Sequence, residues 1–67
     1  MMSVSKAYEE LDFLAEEVAE GGKYNMAEWQ ASGLLSAIKK VYGEYRFMEM
    51  RDYFNIKVKY AKEARNA

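Results

Sequence analysis

Glu16, Glu17 and Glu20 form the densest group of side chains able to move a proton, and all three fall within about one helical turn. The chain has no histidine and no cysteine, so any acid–base or nucleophilic work would rest on carboxylates, Lys, Tyr and Ser. Helical spacing turns the three glutamates toward solvent, away from the low dielectric that tunes a catalytic carboxyl. The same two absences remove the usual zinc spacings, a thiol nucleophile, haem ligation, the Glu-x-x-His di-iron pattern and disulfides. No P-loop, dinucleotide-binding glycine pattern or calcium loop occurs. We therefore assign no catalytic residue, no cofactor and no metal ligand, and expect a protein that is not an enzyme.

Binding chemistry is better represented. Arg46, Arg51, Lys57, Lys59, Lys62 and Arg65 interleave with Tyr45, Phe47, Tyr53, Phe54 and Tyr60. That mixture contacts phosphates and stacks on bases. Candidate nucleic-acid contacts are Arg46, Arg51, Phe54, Lys57, Lys59 and Tyr60. Charge argues the other way. Residues 1–28 carry seven acids and two bases, and residues 29–67 four acids and eight bases, so the halves are −5 and +4. The whole chain is −1 with a pI near 5.4, which gives no overall drive toward a polyanion. In a small fold the basic segment is expected to lie near the acidic one, with the aromatics filling the core. A helix-turn-helix reading is poorly supported, because Gly43 could be its pivot but Glu44 opens the following segment.

The elements that must position these groups are helices. A 67-residue chain holds one small core, so we expect a single domain. It has no proline and four glycines, and it is rich in Ala, Glu, Lys, Leu and Met. Gly21-Gly22 ends a first helix expected from about Val4 to Glu20, capped by Ser3 or Ser5, with Glu9 and Glu10 near its positive end. Asn25 and Glu28 fit a capping box, and Tyr24 and Trp29 a hydrophobic staple, which opens a second helix over about 26–42. A break at Gly43 precedes a third helix over about 44–64. Phe54, Ile56, Val58 and Tyr60 alternate with polar residues as in a strand. Helix is favoured there, because the chain offers no convincing partner strand, and it puts Tyr53, Ile56 and Tyr60 on one face.

On the first helix Val4, Ala7, Tyr8, Leu11, Leu14, Ala15 and Val18 form a core stripe, opposite Lys6, Glu9, Glu10, Glu16, Glu17 and Glu20. Phe13 falls within the acidic face, as a scattered apolar residue, as a contact for the C-terminal segment folding back, or as an anchor for a partner. The second helix has a broad face of Ala31, Leu34, Leu35, Ile38, Val41, Tyr42 and Tyr45 that must pack inward. Behind it, Trp29, Gly33, Ser36, Lys40, Gly43 and, were the helix to continue, Phe47 line a strip whose centre is small. Either the third helix or a loop covers this strip and Trp29 only staples the helix start, or the strip receives a second subunit or a partner helix, with Trp29 and Phe47 at its ends.

The expected architecture is all-α, a small three-helix bundle that oligomerises to supplement its core. The expected function is that of a non-catalytic protein-binding regulator, adaptor or inhibitor, of a size that phages and plasmids encode. Candidate partner contacts are Phe13, Trp29, Gly33, Ser36, Lys40 and Phe47. Nucleic-acid association through the basic aromatic half is the alternative. No apolar stretch approaches the ~20 residues of a membrane span and no signal-peptide core is visible, so a soluble, unprocessed chain is expected. The lack of cysteine fits a cytoplasmic location.

Overall fold

Ser3 opens the first helix as its N-cap: in extended conformation, its Oγ accepts the Lys6 N–H at 3.2 Å. In the computed structural model, which describes residues 3–23 and 25–66, the chain then forms α1 (Val4–Glu20), α2 (Ala27–Tyr42) and α3 (Glu44–Asn66). No strand occurs among the described residues. Glu9 and Glu10 lie beyond the first turn, where the dipole has faded, and Glu9 pairs with Lys6 at 3.4 Å instead.

Gly43 separates α2 from α3. Its φ of +94° lies in the region that L side chains avoid, and its N–H caps α2 by donating to the Lys39 carbonyl at 3.0 Å. Its own carbonyl accepts from Phe47 and so starts α3. The 23 residues of α3, at about 1.5 Å rise each, run nearly the full 36 Å of the molecule's long axis.

The core is built from Ala7, Leu11, Leu14 and Ala15 of α1, Ala27, Ala31, Leu35 and Ile38 of α2, and Met50 and Phe54 of α3. Four of these ten residues are alanine, and most large aromatic side chains lie at the periphery or outside. Tyr8, Val18, Leu34, Tyr42, Phe47 and Val58 pack around the edge. The expected α1 stripe is thus the buried one. No helix among the described residues is long and apolar enough to cross a membrane.

Two inward assignments on the second helix are corrected. Val41 is 53% exposed and Tyr45 83%. Val41 stands about 70° from the centre of the α2 core stripe at 100° per residue, and so sits at its edge. Tyr45 lies past Gly43, whose turn resets the helical phase, so α2 periodicity cannot be extended to it. The strand-like alternation at 54–60 lies within α3. A strand would set Phe54, Ile56, Val58 and Tyr60 on one face, whereas a step of two residues in a helix turns about 200° and sets alternate ones on opposite sides. Phe54 and Val58 therefore face inward while Ile56 and Tyr60 face out, within continuous helix.

Candidate protein-binding face

Asn25 decides how α2 leaves α1. Its Oδ1 accepts the Ala27 N–H at 2.8 Å, while its Nδ2 donates to the carbonyls of Glu17 at 2.5 Å and Gly21 at 2.9 Å. One side chain thus serves a free donor at the start of α2 and two carbonyls at the end of α1, of which that of Glu17 also accepts the Gly21 N–H at 3.2 Å. The capping box expected from Asn25 and Glu28 takes a different form. The Asn25 N–H donates to the Gly22 carbonyl at 3.2 Å, and Met26 holds the cap position without a side-chain bond. The staple between Tyr24 and Trp29 falls partly outside the described residues.

With α2 so placed, Trp29 stands on its outer side, 76% exposed. It borders a shallow depression with Glu28, Ser32, Gly33 and Ser36. Across the low ridge of Ser32 and Ser36 lies a second depression of about 310 Å³ between α2 and α3. Ala31 and Leu35 line it from α2, and Phe47, Arg51, Phe54 and Asn55 from α3. Phe47 thus joins this face from the third helix rather than by continuation of the second. Its ring is flanked by Lys39 Nζ, 5.2 Å from the centroid, and by the Arg51 guanidinium at 5.7 Å. Gly33 and Lys40 are exposed on the same side of α2, whereas Gly43 belongs to the turn that ends it. A Cβ added at Gly33 would meet nothing within 4 Å. α3 therefore covers one flank of the predicted strip and leaves the Trp29–Gly33–Lys40 line open.

Phe13 is 61% exposed and borders a separate groove between α1 and α2, with Glu17, Glu20, Met26 and Gln30. It does not belong to the Trp29 face. Exposed Met26 beside it was not anticipated, because its position was read as helix start alone.

The basic residues of α3 are largely engaged within the fold. Lys57 reaches Asp12 at 3.7 Å and Arg65 reaches Glu16 at 3.7 Å, both across the seam with α1. Arg46 pairs with Glu49 at 3.0 Å and Arg51 with Asp52 at 3.2 Å. Phe54 is buried and has no free face for a base, while Lys59 and Tyr60 remain exposed.

The same seam holds a cluster that sequence spacing did not reveal. The Tyr53 hydroxyl donates to Asp12 at 2.6 Å, and its ring meets Tyr8 edge-on with centroids 4.7 Å apart. Tyr8 in turn donates to Glu49 at 3.4 Å. The hydrogen bond to Asp12, then burial, then the Asp12 charge and Tyr8 raise the Tyr53 pKa above its ordinary value. Nothing local marks such a pair, since its members are 41 residues apart. Among the described residues no three carboxylates are grouped to hold a metal ion. Comparison of the chain with protein-family models, with curated proteins and with solved structures gives no match.

Proposed function

We propose that this is a non-catalytic protein-binding protein, a small regulator, adaptor or inhibitor, whose contact face is centred on Trp29. The observation that carries the reading is the side chain itself. An indole 76% exposed on a rigid helix, next to small residues and an apolar depression, has the properties of a binding hot spot. Gly33, Ser32 and Ser36 admit a close backbone, and Phe47 supplies an apolar wall, so a partner helix suits the face. Lys40 lies at its rim, where a charge tunes partner choice more than affinity. Phe13 serves at most a separate contact. A cytoplasmic setting accords with the cysteine-free sequence.

The nucleic-acid reading draws less support, because Arg46, Arg51 and Lys57 have acidic partners and Phe54 is core. A photo-crosslinking residue placed at Ser32 or Ser36, and in parallel at exposed Glu9 as control, tests the assignment in cells that make the protein. A discrete adduct from the α2 positions alone is the expected result. Equal labelling from all three positions, or an adduct from Glu9 only, would remove the assignment.

A further inference from the structure

The groove between α1 and α2 that Phe13 borders measures about 540 Å³, and one of its walls is acidic while the other is uncharged. Phe13 and Met26, 61% and 55% exposed, stand on its α1 and α2 sides, and Ala27 and Gln30 complete the α2 wall. On α1 Glu17 and Glu20 join Phe13, and Glu10 lies about one turn before it on the same flank. These three are the carboxylates of α1 that the fold leaves unmatched. Glu9 pairs with Lys6, Asp12 with Lys57 and Glu16 with Arg65, whereas Glu10, Glu17 and Glu20 have no cationic partner among the described residues. Lys6 is the one base of α1, and Lys23, in the loop that follows, does not line the groove.

We propose that this groove takes a basic segment of a partner protein, which seats one large apolar side chain between Phe13 and Met26 and sets Lys or Arg beside Glu10, Glu17 and Glu20. Charge selects this occupant. An acidic segment would meet like charge, and a neutral one would cover the carboxylates without replacing the water they lose. Spacing adds a sequence signature. Glu10 and Glu17 are seven residues apart, so they stand about 10 Å apart along α1 with Phe13 between them. The matching segment therefore has a large apolar residue with Lys or Arg about 5 Å to either side, which on a helix is one turn. The contact is distinct from the Trp29 face, where the bases Lys39 and Arg51 flank Phe47.

Selection of a displayed random-peptide library on the immobilised protein tests the proposal. Enriched peptides should combine a large apolar residue with an excess of Lys and Arg. Once synthesised, they should bind at least about tenfold more weakly to Phe13→Ser, and several-fold more weakly to Glu17→Gln/Glu20→Gln or at raised salt. The same peptides with Lys and Arg changed to Glu should prefer Glu17→Lys/Glu20→Lys to wild type. None of these three side chains is buried, so helical spectra and melts should show every variant folded. A selection that enriches nothing, or enriches neutral or acidic peptides, would overturn the proposal. So would selected peptides whose binding depends on Trp29 and not on Phe13. Self-association of the protein abolished by Phe13→Ser would overturn it too, by making a second copy the occupant.

Discussion

The phenolic hydroxyl of Tyr53 on α3 donates to the carboxylate of Asp12 on α1 at 2.6 Å, in a seam where Lys57 also approaches that carboxylate at 3.7 Å. Tyr8, one turn before Asp12, meets Glu49, one turn before Tyr53, with the same offset of 41 residues. Two contacts in one register fix how α1 and α3 lie side by side, running in the same direction. The alanine-rich core alone specifies that register weakly, because small side chains interlock little.

Tyr53→Phe keeps the ring against Tyr8 and removes only the donor, so it should cost about 1 kcal/mol. A double-mutant cycle with Asp12→Ala should give a coupling of about 0.5–1.5 kcal/mol, and zero coupling would contradict the assignment. The bond also sets a pH dependence. Because the folded pKa of Tyr53 is raised, its contribution is fully present below the unfolded value of about 10 and is lost as pH rises through the folded value. Denaturant titrations at increasing alkaline pH should therefore show a fall in stability that is shallower in Tyr53→Phe.

Asn25→Ala removes the cap of Ala27 and two bonds to the end of α1 together. A loss of about 1–2 kcal/mol is expected. Asn25→Asp keeps the acceptor and loses the donor, so it should fall between wild type and alanine. Thermal or urea melts check the order, and an aspartate variant as stable as wild type would show that the α1 carbonyls gain nothing from the amide.

Two glycine substitutions should move stability in opposite directions. Gly33→Ala adds a methyl group into open space on a helix and should stabilise by about 0.5–1 kcal/mol. Gly43→Ala puts a Cβ at φ +94° and should cost more than about 1 kcal/mol. The same Gly33→Ala change should weaken partner binding if a backbone passes close to α2, which separates its binding effect from its stability effect.

Short labelled single-stranded and duplex nucleic acids should bind feebly at physiological salt. Surface pairs such as Lys57–Asp12 and Arg65–Glu16 add little stability, yet within a Debye length of about 8 Å they cancel much of the positive potential of α3. Submicromolar affinity that falls steeply with salt, and disappears in Lys57→Glu/Lys59→Glu, would reverse this expectation.

The helices were legible because their ends carry chemistry that acts locally: Ser3, the Gly21-Gly22 pair and Gly43 each set a boundary through their own backbone or hydroxyl. The α1 stripe was legible because one uninterrupted helix keeps phase from Ala7 to Ala15. Tyr45 was misplaced because phase is lost at Gly43, and the sequence does not say by how much. Trp29 and the small residues around it were visible as a strip. Which flank α3 would cover was not, since that depends on the turn at Gly43. The bond between Asp12 and Tyr53 was hidden for a similar reason: it exists only after three helices have been packed in one register.

The assignment of Trp29 as a contact residue is tested most directly by comparing Trp29→Ala with wild type in two readouts, melting and capture of the crosslinked partner. At 76% exposure the indole contributes little to the fold, so stability should change by no more than about 0.5 kcal/mol while capture is lost. A clear drop in stability with capture unchanged would contradict the account and return Trp29 to a purely structural role at the start of α2.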